Sequence, residues 1–152
     1  MLKKITKKRV ALAILFLLII FQFFRIDKTT KPVDINADII SVTHADAEVT
    51  AILKVSCYDC HSNQPSYPWY TNVAPVSWWI KHHINEGSHH LNFSEWGNYS
   101  QKKKDHKLDE CIEMVEADDM PMSSYTLMHK DATLSELQKK KLIDWFTSIK
   151  GL

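Results

Sequence analysis

The sequence predicts an all-α protein of about four helices joined by long loops, preceded by one N-terminal transmembrane helix. Three observations carry that reading. Residues 10–24 form an apolar run broken only by Gln22, behind a cluster of five cationic residues. Four later segments repeat apolar side chains at the i, i+3, i+4 spacing of one helix face, and no segment alternates with period two for long enough to make a strand. With 152 residues, 45% hydrophobic and 24% charged, the chain has the size of one ordinary domain. Three glycines and five prolines are too few for a collagen-like, disordered or turn-rich all-β chain. Three cysteines are too few for a disulfide scaffold.

Residues 1–26 read as an uncleaved signal anchor. Counted on to Ile26, the apolar segment has 17 residues, roughly 26 Å of helix and the short end of a bilayer span. Lys3, Lys4, Lys7, Lys8 and Arg9 on its N-terminal flank favour leaving that end in the cytoplasm. The expected location is therefore the cytoplasmic (inner) membrane, single-pass, with the C-terminal domain on the periplasmic side. A cleaved signal peptide would end in a small-x-small site, whereas Phe23, Phe24, Arg25, Ile26 and Asp27 follow here. Residues 27–42, with Pro32, read as a polar tether, and residues 43–150 as the domain.

Within that domain, residues 43–56 place Ala45, Val49, Ile52, Leu53 and Ser56 on one face, with Asp46 and Glu48 in the first turn. Residues 74–86 carry Val76, Trp79, Ile80 and His83, have Pro75 near their start, and stop at Gly87. Residues 105–117 align Leu108, Cys111, Ile112 and Val115. Residues 134–149 are the clearest helix, with Thr133 and Glu136 as a capping box and Leu142, Trp145, Phe146 and Ile149 as the apolar face. The stretches 62–73 and 91–101, rich in Pro, aromatics, Asn and Ser, read as loops.

Nineteen basic and eighteen acidic residues look balanced, but the average hides a split. Six of the basic residues lie in the first 25 positions, which carry no acid. From Asp27 onward there are thirteen basic against eighteen acidic residues, a net of −5. Such a body does not attract phosphate backbones, so no nucleic-acid partner is expected.

The chemistry is carried by Cys57-Tyr58-Asp59-Cys60-His61, a C-x-x-C-H of the kind that attaches c-type haem. Thiols at i and i+3 lie on one face of a helical turn, so both can form thioethers to one porphyrin. The histidine that follows then offers its imidazole nitrogen to the iron as proximal ligand. A thioredoxin-like disulfide would want a strand before the motif, and an amphipathic helix stands there instead. A structural zinc site would need four ligands, and no second C-x-x-C is present, although Cys111 and eight histidines leave a mixed site conceivable. A methionine thioether is the usual second ligand in electron-transfer cytochromes. Met120, stiffened by Pro121, is the first choice for distal ligand, Met122 the second and Met128 the third. His82, His83, His89, His90, His106 and His129 offer a rival bis-histidine ligation, and Cys111 reads as a small buried hydrophobe.

The sequence resembles the bacterial haem-binding domain family, small proteins related to cytochrome c. The resemblance rests on residues 55–63 around the motif, on Pro68-Trp69-Tyr70 and Ala74-Pro75-Val76-Ser77-Trp78, and on His90-Leu91-Asn92-Phe93-Ser94-Glu95-Trp96. Met120-Pro121, His129 and the closing helix with Trp145 complete it. It implies one covalent haem c on a cytochrome c-like helical fold, with Cys57 and Cys60 as attachment points and His61 as axial ligand. It also implies Met120 as distal ligand, although Met122 stands where the family pattern often has a second proline. The expected function is a membrane-anchored monohaem cytochrome passing single electrons to redox partner proteins at the membrane surface. The rival readings are a haem-based sensor and, third, a peroxidase-like enzyme using His89 or His90 with Glu95.

Overall fold

A computed structural model describes residues 6–152, and all regular structure among them is helical. The chain forms two compact units, one of residues 6–29 with 66–83 and one of residues 30–65 with 84–152.

The first unit corrects the expected membrane crossing. Helix α1 covers Lys7–Phe21, and its 15 residues rise about 22 Å, short of a hydrocarbon core of about 30 Å. Lys7, Lys8 and Arg9 fill its first turn, leaving only residues 10–21 apolar. No helix among the described residues is long and apolar enough to cross a membrane. The helix stops because Gln22 is drawn into backbone pairing. Its Nε2 donates to Leu18 O (2.8 Å) and Ala74 O (2.9 Å), and its Oε1 accepts from Ala74 N (3.1 Å). Phe21 then meets Trp78 with ring centroids 5.1 Å apart, and Trp78 Nε1 donates to Phe24 O at 2.8 Å.

The second unit holds the core. Helix α2, Ile39–Thr43, starts where Asp38 accepts from Ile40 N and ends at His44, whose φ of 52° is left-handed. That residue divides what the spacing reads as one helix over 43–56, so α3 runs Ala47–Ser56 with Asp46 capping Val49 N at 2.8 Å. Helix α4, Tyr58–His61, follows at once. Helix α5, Val76–His90, continues through Gly87, which the sequence reads as a stop. Helix α6, Gln101–Glu116, is capped by Ser100; α7 is the single turn Ser123–Thr126. Helix α8, Glu136–Ser148, does carry a capping box, but of Ser135 with Gln138, two residues beyond the expected pair. Thr133 instead closes the short turn Lys130–Ala132 in extended backbone.

Helices α6 and α8 pack on each other and α3 packs on α8. Ile39, Leu53, Leu108 and Leu142 are fully buried, with Phe93, Trp96 and Phe146 beside them in the same cluster. Burying an aliphatic side chain of that size contributes about 1.5–3 kcal/mol. Phe93 and Trp96 come from the short helical turn Phe93–Asn98, inside a stretch that reads as loop.

Candidate haem site

At the end of α3, Cys57 N still donates to Leu53 O, but the backbone leaves helical geometry there (φ −126°, ψ −38°) and α4 restarts the turn. Cys60 N and His61 N both donate to Cys57 O, at 3.2 and 3.0 Å. This single turn puts the Cys57 and Cys60 side chains on one side. Both thiols are free. Burial, reinforced by the neighbouring Cys60, pushes the Cys57 thiol up to about 12. Burial and then the Asp59 charge push Cys60 up to about 11. Cys111 is free too, packs against the core cluster, and is raised chiefly by burial.

The two spacer residues of the motif are each tied down. Tyr58 is 2% exposed, its hydroxyl donates to Asp38 Oδ1 at 2.6 Å, and its ring stacks on Phe93 with centroids 5.7 Å apart. Lys54 Nζ lies 3.8 Å from the centre of the same ring. Burial first, and the bond to Asp38 second, raise the Tyr58 phenol above its ordinary value and keep it a donor. Asp59 Oδ2 accepts from Tyr125 OH at 2.9 Å. Ser62 Oγ closes the turn by donating to Tyr58 O at 2.7 Å, and Asn92 Nδ2 reaches Asn63 Oδ1 at 2.8 Å.

His61 is oriented by α5. Its Nδ1 lies 3.0 Å from Gly87 O and 3.2 Å from Leu91 O. Carbonyl oxygens only accept, so Nδ1 carries the proton and the lone pair is left on Nε2. Burial lowers the His61 pKa, which keeps the ring neutral. The close approach requires a glycine, since a Cβ on residue 87 would stand 2.8 Å from Cys60 O and 3.1 Å from Cys60 Cβ.

Cys57, Cys60 and His61 thus lie on one turn of chain. Met120 and Met122 are half-buried in the loop after α6, and Met128 is exposed beyond α7. Asp119 N and Met120 N both donate to Met114 O, which ties the loop to the end of α6. On its other side Met122 O accepts from Tyr125 N and Thr126 N, and Tyr125 reaches the motif through Asp59. Three of the rival histidines have other partners: His83 Nδ1 with Trp79 O at 2.8 Å, His106 with Glu110 at 3.2 Å, and His129 stacked on Tyr125 at 4.2 Å. Among the described residues no group of three His, Cys, Asp or Glu side chains is arranged to hold a metal ion by itself.

Sequence reasoning missed four residues that shape this site: Gly87, Leu91, Asp38 and Tyr125. Only Gly87 left a trace, because an isolated glycine in a helical pattern can mark close packing as well as a stop.

Two free thiols one turn apart, followed by a neutral imidazole with a bare Nε2, are a donor set that fits a haem held by two sulfurs and a nitrogen. The sequence profile of the haem-binding domain family matches residues 16–148, and the chain belongs to that family. No curated protein and no solved structure matches it.

Proposed function

We propose that the protein carries one covalent haem c and passes single electrons between redox partner proteins outside the cytoplasm. The observation that carries this reading is His61, neutral and locked by two carbonyls with Nε2 left for iron. In this reading Cys57 and Cys60 hold the group through thioethers and His61 is the proximal ligand. Met120 is the distal ligand, with Met122 next in order. A haem so held supplies the one-electron Fe(III)/Fe(II) couple. The protein's part is to fix its ligands and surround it with apolar groups, for which Phe93, 6.1 Å from His61 between ring centres, is placed. The net charge of −5 beyond residue 26 favours basic partner surfaces, within about a Debye length of 8 Å at physiological salt.

The test is a visible spectrum of natively matured protein, oxidised and reduced, with a pyridine haemochrome. A c-type haemochrome and a methionine–iron charge-transfer band that Met120→Ala abolishes are expected. Loss of the band in Met122→Ala instead would move the distal ligand. A covalent haem without any methionine band would remove the methionine ligand and turn the reading to bis-histidine ligation, sensing or catalysis, and no covalent haem would refute the whole reading.

A further inference from the structure

The first unit contains a cleft of about 570 Å³ lined by Arg25, Ile26, Lys28, Thr71, Asn72 and Ser77. Its two cations rest on neutral oxygens. Arg25 Nη1 donates to Asn72 O at 2.5 Å, and Lys28 Nζ donates to Thr71 Oγ1 at 2.9 Å and Asn72 Oδ1 at 2.8 Å. A third cation stands close by, because Lys28 and Lys81 flank the Tyr67 ring at 5.3 and 5.8 Å and Lys81 donates to the Tyr67 hydroxyl. Among the described residues no carboxylate comes within 4.0 Å of Arg25, Lys28 or Lys81, although six other lysines, Lys31 and Lys150 among them, have acidic partners and several on the surface have none. The nearest acid in sequence, Asp27, accepts from Thr29 N and Oγ1, both at 2.8 Å, and also feels the charge of Lys81, so Arg25 and Lys28 are the two cations left to the cleft. Among the described residues each cation makes fewer hydrogen bonds than it has donors, a guanidinium having five N–H groups and an ammonium three.

We propose that this cleft binds a phosphate group. Arg25 supplies a planar fork suited to two phosphate oxygens, and Lys28 a point charge beside it. The cleft exceeds what a bare phosphate fills, so the ligand is a phosphate ester whose organic part extends outward. Phe23 and Phe24, 82% and 62% exposed, stand next to Arg25 in sequence and suit an apolar extension. The phosphate has two candidate sources, a soluble ester and a phospholipid headgroup. The inference is independent of the haem.

The experiment titrates ¹⁵N-labelled full-length protein with glycerol 3-phosphate, following the Thr71, Asn72 and Ser77 amides. In parallel, it measures co-sedimentation with phosphatidylglycerol and phosphatidylcholine vesicles at two salt concentrations. Saturable shifts confined to those amides identify a soluble ester. Vesicle binding that is stronger on phosphatidylglycerol, without such shifts, identifies the headgroup. In either case Arg25→Gln and Lys28→Gln each weaken binding about tenfold, while Arg25→Lys restores part of it and Lys31→Gln, outside the cleft, changes nothing. An unchanged far-UV circular dichroism spectrum shows that the variants are folded. Binding of neither probe, or binding indifferent to both Gln variants, overturns the proposal.

Discussion

Gly87→Ala tests the packing of α5 against the motif. In an exposed helix interior this change stabilises by about 1 kcal/mol, because alanine is the better helix former. Here the added Cβ meets the Cys60 carbonyl oxygen at 2.8 Å, and ordinary contact begins at 3.4 Å, so α5 and α4 must separate by 3.4 − 2.8 = 0.6 Å. The opposing atoms are backbone and cannot rotate away. The same separation would stretch the His61 Nδ1 to Gly87 O distance from 3.0 Å to about 3.6 Å, beyond hydrogen-bond range. Overpacking costs about 1–3 kcal/mol and the lost bond about 1 kcal/mol. Against a gain of about 1 kcal/mol from propensity, the net is a destabilisation of about 1–3 kcal/mol. Urea unfolding followed by circular dichroism should show a lower midpoint at unchanged slope. ¹⁵N chemical shifts of the His61 ring should move, because its Nδ1 proton then has Leu91 O as its one remaining carbonyl acceptor. Asn85→Ala, on an exposed position of the same helix, serves as the control and should be neutral or slightly stabilising. A Gly87→Ala protein as stable as its parent, with its imidazole shifts unchanged, would refute the argument.

Three further outcomes follow from the same geometry. Tyr58→Phe removes the donor to Asp38 Oδ1, on a carboxylate whose Oδ2 already lacks a partner among the described residues; the loss should be about 1–3 kcal/mol by urea unfolding. Tyr125→Phe cuts the tie to Asp59, and amide hydrogen exchange over residues 117–126 should quicken while the α6 and α8 core stays protected. Asp46 is held below its ordinary 3.8 by the Val49 N–H and then by Lys141, so its contribution is present above that value and lost as pH falls through its lower folded value. An acid titration of stability comparing Asp46→Asn with the parent should therefore show a gap at neutral pH that closes in acid, and a smaller gap at high salt because the group is exposed.

The helical class and the attachment motif were legible because both are local. A periodicity of 3.6 residues is visible in any window that contains it, and C-x-x-C-H is five consecutive residues. What escaped was non-local or hung on a single side chain. Gln22 ends α1 by pairing with Ala74, 52 residues away, and no window around residue 22 contains that partner. The left-handed His44 splits α2 from α3 without interrupting the apolar spacing. Two candidate capping boxes overlap at residues 133–138, and only the extended backbone at Thr133 decides for Ser135 and Gln138. Gly87 has the spacing of a stop, but it is the point where one backbone passes another.

The ties that hold the motif span 20, 26, 30 and 66 residues of chain, to Asp38, Gly87, Leu91 and Tyr125. Each closes a loop whose entropy must be overcome before the contact rewards it, and contacts of long sequence separation form slowly. The thiol spacing, by contrast, needs only one helical turn. A chain that is still folding therefore presents its two cysteines as a pair before its imidazole has a fixed tautomer. In the proposed reading, capture by sulfur and ligation by nitrogen would be separable in time, and a peptide cut from residues 53–63 would retain the first and lose the second.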